Sequence, residues 1–159
     1  MIILEPMNEE DFQRYLDFSV ADYAQEHVKS GRWSQEEALT EAKKQYVELL
    51  PAGVASSNQY LFTIIDPDQQ RKVGMLWFAV EERAGRRSAF VYDIRIEEIY
   101  RHQGYGSQAF REMEKNVREL GLNRIGLHVF GHNHAALEMY KKLGYVATNI
   151  VMAKELDLP

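Results

Sequence analysis

The strongest constraint on the fold is a series of three β-type segments that follow one another at short intervals. Tyr60–Ile65, Val73–Glu82 and Ser88–Ile96 are each rich in β-branched and aromatic residues, the residue types that strands favour. The stretches between them contain turn-forming residues, namely an Asp-Pro-Asp sequence at 66–68 and a glycine at the end of 83–85. Intervals of this length favour an antiparallel meander.

Two helices are predicted before this meander. A short apolar run at Ile2–Leu4 fits an edge strand, and Asn8 then lies at capping distance from the start of a helical pattern. Ser34 and Glu37 form a capping box for a second helix, which Pro51 stops. The apolar or small residues that share one face of the first helix are Phe12, Tyr15, Leu16, Ser19 and Tyr23.

The pattern changes to alternating helices and strands after Ile96. A helix that Gly121 terminates is followed by a predicted strand at Arg124–Phe130, and Asn133 caps a further helix. A last strand pair fits Tyr145–Leu156. We therefore predict a single α/β (α+β) domain over residues 1–159, with five helices or fewer packed on one mixed sheet.

Composition narrows the functional classes. The 159 residues carry a net charge of −5, which argues against a nucleic-acid partner, and 45% hydrophobic residues, which is typical of a globular domain. Cysteine is absent, so disulfides, thiolate metal sites and a cysteine nucleophile are excluded. The N-terminus does not resemble a signal peptide, and the longest apolar run, Met75–Val80, is too short to cross a bilayer. We expect a cytoplasmic protein with no membrane partner.

A glycine-rich segment at 101–107 lies between a predicted strand and a predicted helix. Glycine permits backbone conformations that side chains would block, and a helix N-terminus offers unpaired N–H groups to an anion. A pyrophosphate is the natural ligand for such a loop, although a helix start without a ligand would give the same two-glycine signal. The segment comprises Arg101, His102, Gln103, Gly104, Tyr105, Gly106 and Ser107.

Three phosphate-binding interpretations of this segment compete. A P-loop requires a lysine that is absent here. A dinucleotide-binding fingerprint fits Gly104–Ala109, but the following strand ends at Phe130 without the expected ribose-binding acid. The third interpretation is a coenzyme A loop.

Two sequence blocks carry a family resemblance. Arg101-x-x-Gly104-x-Gly106 matches the coenzyme A signature Q/R-x-x-G-x-G/A, and residues 133–145, from Asn133 to Tyr145, match the pattern N-x-x-A-x-x-x-Y-x-K-x-G-F/Y. Both patterns belong to the GCN5-related N-acetyltransferase (GNAT) superfamily, and the two blocks occur in the family's order and spacing. The chain therefore resembles a GNAT N-acetyltransferase over Ser88–Tyr145, and in element order only before that.

This resemblance implies a fold, a co-substrate and a set of binding residues. It implies a mostly antiparallel sheet with a splayed central strand pair and helices on both faces, and acetyl-CoA as co-substrate with no metal. The main chain of Ile94 and Ile96 would bind the acetyl carbonyl and the pantetheine arm. The amides from His102 to Ser107 would hold the pyrophosphate, and Arg101 and Asn133 would belong to the cofactor site.

The resemblance also points to two catalytic residues. Tyr140 stands where the family's tyrosine faces the coenzyme A sulfur, and a phenol there could protonate the leaving thiolate. His128 stands where a glutamate is a proposed base in the family's ribosomal-protein N-terminal acetyltransferases, and histidine titrates near neutrality. Packing alone could also explain Tyr140, and a structural role in the strand could explain His128. Tyr92, Asp93 or Glu82 could relay the proton instead.

Other functions remain open from sequence alone. Metal binding by His128, His132 and His134 is disfavoured, because no cysteine or adjacent carboxylate completes a ligand set. The alternatives to an acetyltransferase are a non-catalytic coenzyme A-binding sensor and a small dinucleotide-dependent oxidoreductase. The acceptor amine is not readable; a small amine, a polyamine, a peptide N-terminus or a lysine all fit. A homodimer is compatible with the sequence.

Overall fold

A computed structural model describes residues 1–159 as a five-stranded open sheet covered by four helices. None of the helices combines the length and the apolar character that a membrane span needs. In chain order the elements are β1 (Ile3–Pro6), α1 (Glu9–Lys29), α2 (Ala38–Leu49), β2 (Gln59–Asp66), β3 (Arg71–Arg83), β4 (Arg86–Ile96), α3 (Tyr105–Glu119), β5 (Ile125–Leu127) and α4 (His134–Lys142), with short 3-10 turns at Gly53–Ala55 and Glu98–Tyr100. The predicted α/β (α+β) class is confirmed.

The sheet follows the order of the chain. The strand order is β1-β2-β3-β4-β5, antiparallel throughout except for the parallel pair β4 and β5. The predicted meander is therefore confirmed as β2, β3 and β4. Only the return through α3 makes β5 parallel, as a helical crossover allows.

Local capping signals fix where the helices begin. The Asn8 side chain accepts a hydrogen bond from the Asp11 amide at 2.8 Å at the start of α1. The Ser34–Glu37 box forms in both directions, at 2.9 and 3.3 Å, one residue before α2. Each bond satisfies a backbone donor that the helix itself cannot pair.

Each face of the sheet has its own apolar core. On one face α3 and α4 pack against a cluster centred on Leu76, Phe78 and Phe110, all fully buried. On the other face α1 and α2 pack against a smaller cluster that includes Trp77, which is 2% exposed. Alternating residues of β3 thus serve opposite cores, which is the period-two pattern expected for a central strand.

The parallel pair of β4 and β5 separates soon after it forms. β4 and β5 are paired only at Ala89–Ile125, Phe90–Gly126 and Val91–Leu127. Beyond these pairs, residues 92–96 of β4 have no neighbour on the β5 side. The predicted splay between the central strands is therefore present.

Two sequence predictions about the C-terminal third are wrong. The predicted strand at Arg124–Phe130 is limited to Ile125–Leu127, because β4 diverges and offers residues 128–130 no ladder partner. The predicted strand pair at Tyr145–Leu156 does not form, and residues 146–159 are exposed without regular structure. An extended segment becomes a strand only when another backbone edge pairs with it, and no such edge contacts this one.

Candidate active site

A cleft of about 1260 Å³ opens where β4 and β5 separate. One wall is formed by α1 and α2, the other by the start of α3 and by α4, and the floor by residues 90–96 of β4. Nearly all of the site residues predicted from the sequence line this cleft; Gln103 does not. The splay thus brings together residues from distant parts of the chain.

The exposed edge of β4 presents free backbone groups to the cleft. The Glu97 amide donates to the Val73 carbonyl of β3 at 2.9 Å, and antiparallel pairing alternates the direction of these groups along a strand. The N–H and C=O groups of Ile94 and Ile96 therefore point away from β3, toward the gap. The Ile96 carbonyl accepts a hydrogen bond from Arg101 Nε at 2.9 Å from that side. The side chains of Ile94 and Ile96 pack on the core under α3.

The glycine loop leads into α3 without a side-chain cap. Gly104 is the N-cap residue, with φ of 82°, and His102 also has a positive φ of 62°. Since no side chain caps the helix, the first amides of α3, those of Tyr105, Gly106 and Ser107, are available to a ligand. Their partial positive charge and their position at the mouth of the cleft suit an anion.

Several residues of this region also have structural tasks. The Tyr105 hydroxyl donates to Asp66 at 2.5 Å and accepts from Arg71 at 2.8 Å, so its buried side chain faces away from the cleft. A Cβ on Gly106 would lie 3.1 Å from Met139 Sδ, which shows that this glycine lets α3 and α4 approach. Asn133 caps α4 by accepting from the Ala136 amide at 3.3 Å. Gln103 Nε2 donates to the Ile99 carbonyl at 3.4 Å.

Tyr140 lies on α4 and lines the cleft. Its ring packs edge-on against Phe110 at 5.4 Å between centroids. Burial, and secondarily the negative charge of Asp93, raises the pKa of the Tyr140 phenol to about 12. Tyr140 is therefore protonated at neutral pH and can donate a proton or a hydrogen bond. Its ring packs on the core while the residue lines the cleft, so the two sequence interpretations are compatible.

His128 lies in the cleft beyond the end of β5, not within a strand as the sequence pattern suggested. Its side chain is exposed, and its ring stands edge-on to Phe130 at 4.9 Å. The nearby His132 pairs instead with Glu26 at 2.5 Å. No three histidine, cysteine or carboxylate side chains are grouped to hold a metal.

Asp93 anchors a buried hydrogen-bond chain that local sequence patterns do not reveal. The Tyr15 hydroxyl donates to Asp93 Oδ2 at 2.9 Å. Because this bond uses the only hydroxyl proton of Tyr15, the Tyr46 hydroxyl is the donor in its 3.4 Å contact with the Tyr15 oxygen. The three residues come from α1, α2 and β4, and Tyr15 and Asp93 are 78 residues apart. Burial raises the pKa of the Asp93 carboxyl, and the bond from Tyr15 only partly opposes this.

A β-bulge aims Asp93 into the cleft. Trp77 of β3 lies opposite Asp93 and Phe78 lies opposite Val91, so Tyr92 is an extra residue in β4. The bulge changes the alternation, and both Tyr92 and Asp93 face α1 and α2. Bulges are known to redirect side chains in this way beside active sites.

The Asp93 carboxylate lies in a part of the cleft wall that is rich in aromatic side chains. The wall on the α1 and α2 side includes stacked Trp77 and Tyr92, at 4.8 Å between ring centroids, and Tyr23 edge-on to Tyr46 at 5.7 Å. Two other carboxylates of this wall have cationic partners: Asp22 pairs with Arg95 at 2.7 Å and Glu26 with Lys29 at 3.4 Å, and Glu26 also contacts His132. Asp93 is hydrogen-bonded to a phenol, and the charge of the nearby Arg95, which pairs with Asp22, compensates it only in part.

Comparison with known proteins agrees with this architecture. The family model described as "Acetyltransferase (GNAT) family" matches residues 13–145. "Uncharacterized N-acetyltransferase YdgE" of Bacillus subtilis is 37% identical over 153 residues, covering 96% of this chain and 97% of that protein. "Uncharacterized N-acetyltransferase YycN" of the same organism is 36% identical over 155 residues, covering 98% and 99%.

Solved structures extend the comparison to three dimensions. The crystal structure of YycN superimposes with a TM-score of 0.92 at 35% identity, covering 99% of this chain and all of that one. AAC(6')-Iy, in complex with the bisubstrate analogue CoA-S-monomethyl-acetylneamine, has a TM-score of 0.63 at 12% identity and covers 99% of each chain. The second comparison concerns the fold alone.

Proposed function

Because the chain belongs to the GNAT family and is an N-acetyltransferase, we propose that it transfers the acetyl group of acetyl-CoA directly to a primary amine held beside Asp93. The observation that supports an amine is the carboxylate of Asp93, which forms no salt bridge, is hydrogen-bonded to the Tyr15 phenol and lies in a cleft wall rich in aromatic side chains. An ammonium group would complete the partial charge compensation that Arg95 gives Asp93, and aromatic faces attract cations. The acceptor would be a small amine, a polyamine, or the amino group of a peptide N-terminus or lysine.

The cofactor would lie along the exposed edge of β4. Its pantetheine amides would pair with the free N–H and C=O groups of Ile94 and Ile96, as an added strand would. Its pyrophosphate would meet the first amides of α3 and the loop 101–104, and Asn133 would border it from α4. Arg101 would release the Ile96 carbonyl if that group were needed by the ligand. In AAC(6')-Iy the same fold holds a bisubstrate analogue that contains coenzyme A.

The reaction is a direct acyl transfer. The deprotonated amine attacks the thioester carbonyl carbon, the new C–N bond forms, and the carbonyl oxygen becomes an oxyanion. The nitrogen of this intermediate still carries an extra proton, which it loses to water. Collapse then breaks the C–S bond and expels the coenzyme A thiolate, which takes a proton from Tyr140, and water returns a proton to the tyrosinate. The phenol suits this role because it remains protonated at neutral pH. Without a cysteine in the chain, no acyl-cysteine intermediate can form.

Two residues compete to accept the proton of the ammonium group. His128 lines the cleft and carries an imidazole, which can accept a proton in its neutral form. Asp93 lines it too, and it is close enough to Tyr140 to influence the pKa of that phenol. We favour Asp93, directly or through a water, because its carboxylate is partly buried and its raised pKa makes it a better base than an ordinary aspartate.

The first experiment measures cofactor binding by thermal shift. Acetyl-CoA should raise the melting temperature of the wild-type protein, while NAD should not. Gly104→Val should abolish the shift, because a branched side chain disfavours the positive φ and the open backbone that a pyrophosphate needs. Gly121→Val is the matched control: Gly121 has φ of 78° at the other end of α3 with open space around it. The variant should lose stability similarly but keep the shift.

The second experiment measures coenzyme A release over an acceptor panel. The panel contains primary monoamines, polyamines and peptides with different first residues, together with matched alcohols and tertiary amines. Turnover confined to primary amines supports the proposal. Tight acetyl-CoA binding without turnover on any of these amines would indicate a sensor, and turnover with alcohols would exclude the proposed acceptor class.

A further inference from the structure

Four side chains, called the Arg71 cluster below, connect the β2–β3 hairpin to the ends of the loop 101–104. The Tyr105 hydroxyl donates to Asp66 at 2.5 Å and accepts from Arg71 at 2.8 Å. Arg71 also lies 3.9 Å from the Asp66 carboxylate, and its guanidinium stacks over the Tyr100 ring, 4.4 Å from the ring centroid. Neither Asp66 nor Arg71 lines the cleft. The cluster therefore lies behind the loop and not in the path of a ligand.

The cluster holds both ends of the loop. Tyr100 is the last residue of the 3-10 turn before the loop, and Tyr105 is the first residue of the helix after it. Arg71 contacts both tyrosines, so one guanidinium fixes the distance between the two loop ends. Tyr105 and Asp66 are only 8% and 7% exposed, which protects their hydrogen bond from competition by water.

The loop between these ends has an unfavourable conformation. Its four residues are exposed, and two of them, His102 and Gly104, have positive φ values of 62° and 82°. A positive φ is uncommon for a residue with a side chain. The side-chain hydrogen bonds of the loop run back to the preceding turn and strand, from Arg101 to Ile96 and from Gln103 to Ile99. The loop keeps this conformation because its ends are fixed from outside.

We propose that Asp66, Arg71 and Tyr105 are positioning residues for the cofactor, which keep the loop 101–104 and the first amides of α3 in the arrangement that receives the pyrophosphate. The inference rests on the proposed function, because it requires acetyl-CoA to bind at this loop. The three side chains act through the backbone that they hold. The conformational entropy of the loop is then lost when the chain folds and not when the cofactor binds, so the cofactor binds more tightly.

The cluster acts through geometry and not through attraction of the phosphates. Arg71 and Asp66 carry opposite charges 3.9 Å apart, so their fields largely cancel at the loop. The Nε of Arg71 is buried and has no hydrogen-bond partner, an arrangement that lowers stability. The position of Arg71 is therefore better explained by the shape that it imposes on the loop than by stabilisation of the fold.

Two substitutions that conserve the net charge test the cluster by titration calorimetry. Tyr105→Phe keeps the ring and removes the hydroxyl that bonds to Asp66 and Arg71. Arg71→Lys keeps the positive charge and removes the planar group that stacks on Tyr100. Each should raise the Kd for acetyl-CoA roughly five- to tenfold, about the effect of one lost hydrogen bond. The Kd for S-acetylpantetheine, which lacks the pyrophosphate, should not change.

The double variant tests whether the two residues act as one unit. Tyr105→Phe with Arg71→Lys should bind acetyl-CoA no more weakly than the weaker single variant, because either change alone already releases the loop. A Kd that rises by the product of the two single effects would mean independent action and overturns the proposal. At saturating acetyl-CoA, kcat should stay within about twofold of the wild type, since the cluster touches no reacting atom. A large fall in kcat also overturns it.

Arg83→Lys is the matched control. Arg83 lies at the other end of β3, pairs with Glu81 at 3.0 Å and stacks over the Phe90 ring at 4.9 Å, so the substitution removes similar contacts away from the loop. Both Kd values should stay at the wild-type level. Equal acetyl-CoA binding by Tyr105→Phe and wild type, or equal weakening for both ligands, overturns the positioning role and leaves the proposed function intact. Failure of the wild type to bind acetyl-CoA overturns the proposed function together with this inference.

Discussion

At the scale of single residues, the packing role and the catalytic role of Tyr140 can be tested separately. Tyr140→Phe keeps the ring against Phe110 and removes only the hydroxyl. We expect kcat to fall roughly 10²-fold, a typical loss for a general acid, with the Kd for acetyl-CoA nearly unchanged. Stopped or continuous assays of thiol release measure kcat directly.

The control for this variant is a neighbouring tyrosine. Tyr145 lies 5.9 Å from Tyr140 between ring centroids, and its buried hydroxyl has no hydrogen-bond partner. Tyr145→Phe should therefore leave kcat unchanged. An equal kcat for Tyr140→Phe and wild type would mean that water, and not Tyr140, protonates the leaving thiolate.

The base is identified by comparing two variants with one amine. Because burial raises the pKa of Asp93, its basic form appears only as pH rises through that value, and the rate should rise with pH over the same range. Asp93→Asn should remove this limb and most of the rate, whereas His128→Gln should keep both. The reverse result would make His128 the base.

Stability provides an internal check on the Asp93 variant. A carboxyl whose pKa is raised by folding is destabilising once it is ionised, above the raised pKa. The neutral amide of Asp93→Asn should therefore raise the free energy of unfolding at pH 7, and this gain should vanish in acid. Urea titrations at the two pH values measure it. A variant that is both less active and less stable at pH 7 would contradict the assignment.

At the scale of elements, the pairing of β3 and β4 depends on one glycine. A Cβ on Gly74 would lie 2.0 Å from the Arg95 carbonyl oxygen, a backbone atom that cannot rotate away. Gly74→Ala should cost more than about 3 kcal/mol of unfolding free energy, since overpacking against backbone must separate the strands. Gly126→Ala is the control: its Cβ would meet only the Phe90 ring, at 3.4 Å. A loss below about 1 kcal/mol for Gly74→Ala would mean that the strands shift easily.

The same scale shows what sequence can predict. The helix starts can be predicted from the sequence because they depend on contacts between residues only three positions apart. These starts are at Asn8, at Asn133 and at the Ser34–Glu37 box. The glycine loop and Tyr140 can be predicted from the sequence because each belongs to a contiguous motif. Asp93 was only one candidate among several, because its direction depends on the bulge at Tyr92 and its partner Tyr15 lies far away in sequence. The strand pattern of residues 145–156 is visible in the sequence, but the failure of this segment to pair with any strand is not.

At the scale of the whole molecule, the buried side chain of His27 makes the stability of the fold depend on pH. This 6% exposed side chain packs between Tyr23 and Trp33, at 4.4 and 4.5 Å between ring centroids. Burial, and then the charges of Arg32 and His128, lowers its pKa from 6.5 to about 4. Between these two pKa values the unfolded chain therefore binds a proton at His27 that the folded protein does not bind.

Stability should consequently fall as pH falls through this window. From pH 7 to pH 5 we expect a loss of roughly 2 kcal/mol from this residue alone, measured by urea unfolding. His27→Gln should flatten the dependence by about that amount. An unchanged slope in the variant would show that His27 is solvated or paired when charged.

The short parallel ladder between β4 and β5 also has a mechanical consequence. Three residue pairs are all that join the two strands, and the rest of the attachment of β5 and α4 is side-chain packing on the core that they share with α3. A cofactor bound along β4 that also reaches Asn133 on α4 would add a second connection between the two strands. Occupancy of the cleft should then stiffen this part of the molecule, where backbone pairing is sparse.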